Sequence, residues 1–267
     1  LTVSSNTPLR ARSIQNGWMS STVETETYLF GEKPDIPIFI LNSDPKDLFD
    51  TNSGIYALGS SASASFPYFG ANFWQDWEKP AQFEIIDTNG QNYKANAGIK
   101  IFGGWSRGNA QKSFSLFARK QYGTSEFDYP IFPKSNIESY ESFILRNSGN
   151  DWEQTMLRDG YVNSIIELTG VDYQQYRPAI GYINGEYWGI YNMREKISEH
   201  FISSHHDIPT DKINLLAYNG GYEDNLETIH GSKNDFLEFI QYISSNDIRM
   251  SGVYNAVSYT HLTLPTR

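Results

Sequence analysis

The amino-acid sequence predicts an α+β fold, in which an antiparallel sheet packs against a small number of helices. Two pairs of alternating apolar and polar runs are each joined by an Asn-Gly dipeptide, at residues 89–90 and 184–185, and this is a strong signal for a β-hairpin. Aromatic residues make up 15% of the chain, which favours packing between strands over a helical bundle. Apolar residues at helical spacing follow Asn150, and 267 residues suffice for one large or two modest domains.

Composition excludes several classes of partner and chemistry. The formal net charge is -10 at pH 7 and no run of Lys and Arg occurs, so we expect no nucleic-acid partner. No apolar stretch approaches the roughly 20 residues that a membrane-spanning helix needs, so we expect no membrane span. The absence of cysteine excludes disulfides, thiol catalysis and zinc–thiolate sites, and it agrees with an exported bacterial protein as well as with a cytosolic one.

Residues 1–29 are predicted to form two edge strands of a β-sandwich, because short alternating runs lie around Asn-Gly and Ser-Ser turns. The strands are Thr7 to Arg12 and Ser20 to Tyr28. Their pattern resembles the end of the C-terminal sandwich domain of chitobiase and β-hexosaminidase. This resemblance implies a remnant of such a domain, with cell-surface glycans as candidate partners. Residues 30–35, polar and containing a glycine and a proline, are expected to be a linker.

The main domain is predicted to span residues 36–256 and to begin with a buried strand, because Ile36 to Leu41 is apolar and rich in β-branched residues. Ala81 to Asp87 alternates and is followed by the first Asn-Gly turn, after which its partner strand runs through Ala97. Further strands are predicted at Ser113 to Arg119, at Ser142 to Arg146 and twice within Pro178 to Asn192.

Three helices are predicted within this domain. In the first, Asn150 and Glu153 form a capping box and Gly170 ends the helix. Its four apolar residues share one face, which we expect to be buried: Leu157, Tyr161, Ile165 and Leu168. The other two helices begin near Glu195 and Ser232.

Residues 97–119 carry the clearest candidate site, a glycine-rich loop between two strands. Gly103, Gly104 and Gly108 lack a Cβ, so the main-chain N–H groups can approach an anion such as phosphate. Arg107 and Lys112 bring positive charge to the same loop. The alternative is a hairpin that carries two surface cations, because short glycine motifs also match by accident.

Three motifs in this order resemble the CotH family, atypical protein kinases of the spore-coat protein H type. They are GIKIFGGWSRGNAQKSFSLFARKQYG, FILRNSGNDWEQTMLRDG and RPAIGYINGEYWGIYNMREKISEHF, and the resemblance covers about residues 35–246. It implies a secretory kinase that transfers the γ-phosphoryl group of ATP, with Mg²⁺ or Mn²⁺, to protein substrates rich in Ser and Thr. The implied fold is an atypical protein-kinase-like small lobe with an incomplete large lobe. The implied location is extracytoplasmic, secreted or on the surface of a bacterium, with the signal peptide lost by truncation.

The resemblance also implies roles for individual residues in binding ATP. Lys112 would bind the α- and β-phosphates, and Arg107 would cover them. The main chain of the loop would help, through Gly104, Ser106, Gly108 and Asn109. The strand from Tyr191 to Arg194, which contains Met193, would place its edge against the adenine.

A carboxylate is expected to orient Lys112, and the sequence offers two candidates. One is Asp159, beside Arg158 in the first predicted helix, and the other is Glu195. The sequence does not choose between them. Arg158 and Asp159 are equally well explained as a solvated ion pair on a helix surface.

The chain departs from the family pattern at its site and at its end. Gln111 stands where the family has the first of two lysines. The family's downstream segments with the catalytic and the metal-binding Asp do not occur, so no catalytic residue and no metal ligand is assigned, and we expect an inactive, truncated fragment. Val257 to Arg267 resembles an adapter-derived peptide that ends many unrelated metagenomic sequences, and we expect a non-native tail that does not pack against the domain.

Two other classes of function stay open beside the kinase. One is a cell-surface adhesion or structural protein that keeps the fold without the chemistry, and the other is a carbohydrate-associated module. Nucleotide binding would distinguish the kinase from both.

Overall fold

The computed structural model describes residues 2–21, 23–218 and 226–261, with side chains to residue 258. The strands are β1 Thr7–Ala11, β2 Glu24–Tyr28, β3 Ile38–Ser43, β4 Lys79–Ile86, β5 Asn92–Phe102, β6 Ser113–Phe117, β7 Phe127–Asp128, β8 Ser139–Tyr140, β9 Ser142–Arg146, β10 Tyr176–Ile183, β11 Glu186–Glu195, β12 Leu215–Tyr218 and β13 Leu226–His230. The helices are α1 Pro45–Phe49, α2 Arg158–Ile166, α3 Glu199–His206, α4 Asn234–Ser245 and α5 Ser251–His261. The chain divides into two compact units, residues 1–196 and 197–267.

The first unit is built on a closed seven-stranded barrel in the order β10-β11-β9-β6-β5-β4-β3. Neighbouring strands are antiparallel, except that β3 closes the barrel by pairing in parallel with β10, from Ile38 opposite Ile180 to Leu41 opposite Ile183. The predicted α+β class with a mainly antiparallel sheet is therefore confirmed. Closure leaves every strand of this sheet paired on both sides.

Aromatic side chains fill the barrel, as the composition predicts. Phe83 is fully buried and lies 5.7 Å from Phe39 and 5.4 Å from Phe143, measured between ring centroids. Along each strand these rings alternate with residues that face outward, because successive side chains of a β-strand point to opposite faces. Aliphatic residues from the neighbouring strands complete the core, among them Leu41, Ile99, Leu116 and Leu145.

Both predicted Asn-Gly hairpins are confirmed. The first joins β4 to β5, and the second joins β10 to β11. In the second, Asn184 and Gly185 both have positive φ, 49° and 83°, as a two-residue hairpin turn of this type requires. The Asn184 side chain also accepts a hydrogen bond from the main-chain N–H of Ser43, at 2.9 Å, so the turn is tied to the end of β3.

The N-terminal hairpin β1–β2 lies on the outer face of the barrel. The amide of Asn42 in β3 donates a hydrogen bond to the hydroxyl of Thr27 in β2, at 2.8 Å. Lys94 in β5 forms an ion pair with Glu26 in β2. The two strands pair with each other, while their origin in a sandwich domain stays a prediction.

The predicted start and buried face of the first long helix are wrong. Helix α2 begins at Arg158, because Met156 has a positive φ of 57°, which no α-helix accommodates. The preceding turn is closed instead by Asp151, whose carboxylate accepts from the hydroxyl of Thr155 at 2.7 Å and from the main chain of Arg158 at 3.0 Å. The four residues of the expected buried face are all exposed: Leu157, Tyr161, Ile165 and Leu168. A 3-10 turn, Glu167–Thr169, follows α2 and ends at Gly170 with φ at 73°, so the predicted stop at this glycine is correct.

The second unit contains α3, the β12–β13 pair, α4 and α5. Helix α3 starts at Glu199, four residues after the predicted start, because Glu195 still belongs to β11 and Ser198 provides the cap. Helix α5 crosses the predicted tail boundary, and Val257 is buried, so the expectation of an unpacked tail is wrong at that residue. Residues 262–267 of the predicted tail lie outside the described residues. In the described ranges, no helix has the length and hydropathy of a bilayer span.

Candidate functional site

The glycine-rich loop leaves β5 and forms a 3-10 turn, Trp105–Gly108, before the chain enters β6. Gly103 opens the turn with a φ of 113°, which a side chain would disfavour. Arg107 fastens the loop from inside, donating from Nε to the carbonyl of Gly103 at 2.5 Å and from Nη1 to that of Phe73 at 3.2 Å. Burial lowers the pKa of Arg107. Its guanidinium therefore holds the loop in place and is not directed at an open anion site.

Lys112 lies beneath this loop and is only 5% exposed. Its ammonium group donates to the carbonyls of Arg107 and Asn109, at 2.7 Å and 2.8 Å. It also lies over the rings of Phe73 and Tyr56, 3.9 Å and 5.1 Å from their centroids. Burial lowers the pKa of Lys112 from 10.5 to about 8. Throughout the described part of the chain, no carboxylate forms an ion pair with this lysine.

Tyr56 is the residue of this site that sequence reasoning missed. Its hydroxyl accepts from the main-chain N–H of Lys112 and from the indole of Trp188, both at 2.9 Å, and donates to the carbonyl of Ala110 at 2.7 Å. The hydroxyl thus links the loop, β6 and β11. Tyr56 precedes Lys112 by 56 residues and belongs to no local sequence pattern, so the sequence alone could not identify it as part of this site.

The second motif packs directly against the first. Asn147, which is buried, donates from its amide to the carbonyl of Gln111 at 2.6 Å and accepts from the hydroxyl of Ser113 at 2.9 Å. A Cβ on Gly149 would lie 2.3 Å from the Cβ of Ser106, so only glycine allows the loop to approach this closely. The Arg-Asn-Ser-Gly stretch therefore supports the glycine-rich loop from one side.

The third motif binds the segment that contains Gln111 and Lys112, just before β6. Tyr191, fully buried, donates its hydroxyl to the carbonyl of Lys112 at 3.0 Å, and burial raises its pKa well above the ordinary value. Gln111, where the family has a lysine, donates to the carbonyl of Ile190 at 3.0 Å. Asn192 donates to the hydroxyl of Ser148. All three motifs thus converge on the segment that holds Lys112.

The two carboxylates expected to orient Lys112 are bound elsewhere. Asp159 forms ion pairs with Arg194, which is 1% exposed, and with Arg146 at 3.3 Å. Glu195 accepts from the main-chain N–H of Gln175 at 2.8 Å. Both carboxylates therefore organise the junction of α2 with β9, β10 and β11, and the prediction that one of them pairs with Lys112 is wrong.

The remaining predicted site residues lie apart from the loop. From Asn192 to Arg194 the strand has no free edge for a ligand, because β11 pairs there with β10 on one side and with β9 on the other. Met193 is fully buried in the barrel core. Arg158, whose side chain is mostly exposed, forms an ion pair with the buried Asp151 at 3.4 Å, whereas Asp159 binds Arg194 and Arg146, so the expected Arg158–Asp159 surface pair is wrong. The expected adenine edge on β11 is therefore wrong.

The sequence model of the CotH kinase protein family matches residues 99–249, more than half of the chain. The match begins in β5, includes all three motifs and ends after α4. The chain belongs to the CotH kinase protein family. None of the curated proteins matches it. The family description implies the use of ATP and of protein substrates.

In this CotH family member, the family motifs meet at Lys112 and the loop above it. What the structure brings together is a buried cation, three glycines at or beside a tight turn, and an aromatic wall. Across residues 2–258, apart from the gaps, no group of three or more His, Cys, Asp or Glu residues could hold a metal ion. The structure thus places a buried cation beneath a glycine-rich turn, and among the described residues no group of metal ligands lies beside it.

Proposed function

We propose that this chain is the nucleotide-binding part of an exported CotH-type kinase, which transfers the γ-phosphoryl group of ATP to Ser or Thr of extracytoplasmic proteins. In this proposal the barrel corresponds to an atypical kinase small lobe. The chain would bind ATP without transferring phosphate, because no group of metal ligands occurs among its described residues.

The observation that carries the proposal is the burial of Lys112 without a counter-ion among the residues that the structure describes. A buried ammonium is costly unless it is paired, and two main-chain carbonyls satisfy its hydrogen bonds without neutralising its charge. Side chains of the second and third family motifs bind the main chain of residues 111 and 112 in the first. An anion at the ammonium would supply the missing charge, and a phosphate group of ATP is the anion that a kinase binds.

The residues present fit the phosphate part of ATP. Lys112 would contact phosphate oxygens, and the main chain of Gly104, Ser106, Gly108 and Asn109 would lie over them. Arg107 contributes through the shape of the loop, since its own hydrogen bonds go to carbonyls. ATP, with Mg²⁺ or Mn²⁺, supplies the transferable phosphoryl group. The role of this chain is to bind and orient it, which is most of what phosphoryl transfer requires of a protein.

Titration calorimetry of ATP with Mg²⁺ into the wild-type chain and the Lys112→Met variant tests the proposal. We expect the variant to bind at least tenfold more weakly, which is about 1.4 kcal/mol, with an unchanged circular dichroism spectrum. Lys112→Arg should be nearly as damaging, because a planar guanidinium does not replace a compact ammonium in a tight pocket.

The matched control is Lys100→Met, which removes a half-exposed lysine of β5 whose partner is Asp76, 2.9 Å away. This variant should bind ATP as the wild type does. If the wild-type chain and Lys112→Met bind ATP with equal affinity, Lys112 is not part of the site. The same conclusion follows if Lys112→Met and Lys100→Met lose affinity equally. A folded wild-type chain that binds no ATP would exclude the proposed function.

A further inference from the structure

A cavity of about 330 Å³ lies between the N-terminal hairpin and the outer face of the barrel, away from the glycine-rich loop. Its floor is formed by β3, β4 and β5, and Thr25 of β2 and Arg10 of β1 contribute from the hairpin. Both parts belong to the same compact unit. The volume is at the lower end of the range of about 300–1,000 Å³ found for ligand pockets.

The floor of this cavity is a row of three side-chain amides. Asn42, Gln82 and Asn96 lie opposite one another across β3, β4 and β5. Their neighbours Leu41, Phe83 and Ala97 point into the barrel core, so the amides share the opposite face. Directly opposite residues on neighbouring strands are about 5 Å apart, so the row presents amide groups at regular spacing.

The first amide of the row has an unused acceptor. Asn42 is 4% exposed and its nitrogen donates to Thr27, yet its Oδ1 atom is buried and has no hydrogen-bond partner among the described residues. A buried acceptor without a donor costs about 1–3 kcal/mol, so a protein that keeps one is suited to a donor from outside. Gln82 is also buried, and among the described residues none bonds to its side-chain amide.

The charges around the cavity balance one another. Asp44 lies 4.0 Å from Arg10, and Asp47 forms an ion pair with Lys79 at 3.4 Å. The site therefore offers no net charge to an ion. Tyr122 adds an aromatic face to the lining. A side-chain amide both donates and accepts hydrogen bonds, so a row of amides matches a ligand whose groups also do both. An aromatic ring can pack against the apolar face of such a ligand.

We propose that this cavity binds a saccharide unit, a neutral polyhydroxylated ligand whose hydroxyl groups reach Asn42, Gln82 and Asn96. The proposal is independent of nucleotide binding, because it uses a different face of the barrel. It gives the N-terminal hairpin a function, which is to cover the ligand from the side opposite the amides.

Saturation-transfer NMR on the whole 267-residue chain tests this, with glucose, galactose, mannose, N-acetylglucosamine and their disaccharides as probes. We expect at least one probe to receive saturation at about 10 mM, which detects a Kd of about 1 mM or tighter. Gln82→Leu should weaken its binding at least tenfold. Gln91→Leu, in the exposed turn between β4 and β5, is the matched control and should leave binding unchanged.

Circular dichroism checks the fold of each variant, and Asn96→Leu replaces Gln82→Leu if the latter does not fold. The proposal is overturned if no probe binds the folded wild-type chain, or if a probe binds equally well to the wild type and to the amide variant. It is also overturned if calorimetry shows that Ca²⁺ alone binds and that Asp47→Asn abolishes this binding, since the cavity would then be a cation site.

Discussion

Replacing Lys112 by methionine keeps the length of the side chain and removes its charge, so it measures what burial of the ammonium does to the fold. The unfolded chain exposes Lys112 to water, where its pKa is 10.5, whereas burial lowers the pKa to about 8 in the folded chain. The difference between the two values corresponds to about 3 kcal/mol, at about 1.4 kcal/mol per pKa unit.

The sign of the pH dependence follows from proton binding. Between pH 8 and 10.5 the unfolded chain holds the Lys112 proton while the folded chain releases it. Stability rises with pH wherever the unfolded state binds more protons, so this lysine makes the wild-type chain more stable as the pH rises through that window. Below pH 8 both states are charged, and the full cost of burying the ammonium is present.

Urea titrations of the wild type and Lys112→Met across this pH window give the measurement. We expect the free energy of unfolding of the wild type, minus that of the variant, to rise by about 3 kcal/mol from pH 8 to pH 10.5. The carbonyls of Arg107 and Asn109 lose their donor in the variant, but this cost is the same at every pH and cancels from the change. A difference that stays flat across the window would refute the reasoning that burial controls this lysine.

Tyr56→Phe removes the acceptor of two hydrogen bonds, so urea titration should show a free energy of unfolding lower by about 1–3 kcal/mol. Tyr161→Phe, at an exposed tyrosine, is the control and should leave this free energy unchanged. Equal effects of the two substitutions would contradict a structural role for the Tyr56 hydroxyl. Asp159→Asn removes the carboxylate that pairs with the buried Arg194, so it should lower the free energy of unfolding by about 2 kcal/mol. This is less than the roughly 3–5 kcal/mol expected for a fully buried pair, because Asp159 is partly exposed. The control Asp211→Asn, at an exposed aspartate, should leave the free energy of unfolding almost unchanged. Deleting residues 257–267 should lower the Tm, because Val257 is 4% exposed, and an unchanged Tm would support a foreign tail. Incubation with labelled ATP, Mg²⁺ or Mn²⁺ and Ser-rich peptides should leave chain and peptides unlabelled, and any label would exclude an inactive fragment.

The parts of the fold that the sequence predicts correctly depend on neighbouring residues. Both hairpins could be located from an Asn-Gly dipeptide and its alternating flanks, although only Asn184 and Gly185 both have positive φ, while in the first turn Gly90 does and Asn89 does not. The glycine-rich loop and the strand that follows it are local in the same sense. The predicted start of α2 at Asn150 is wrong even though a capping box is also a local pattern, because the side chain of Asp151 closes a competing turn there.

The contacts that complete the site could not be predicted, because they join distant parts of the chain. Asp159 and Arg194 are 35 residues apart, and Arg194 lies on β11, whose position depends on its pairing with β9 and β10. The family's kinase pattern suggested a carboxylate for Lys112, but the nearby arginines bind Asp159 and a main-chain amide binds Glu195. Periodicity predicts which face of a strand is buried, and it does not predict which charged groups meet across elements.

The three polar groups of Lys112 are held in different ways, and this difference decides what can change at the site. Its main-chain N–H and carbonyl are bound by Tyr56 and Tyr191, side chains anchored in the barrel, so the position of the residue is fixed. Its ammonium is bound by carbonyls of the loop, which carry only partial charge. A phosphate oxygen is the stronger acceptor for an ammonium, because a hydrogen bond between charged groups is about twice as strong as one to a neutral acceptor. We therefore expect an incoming phosphate to displace the loop carbonyls and leave the lysine in place, so that the loop moves while the barrel does not.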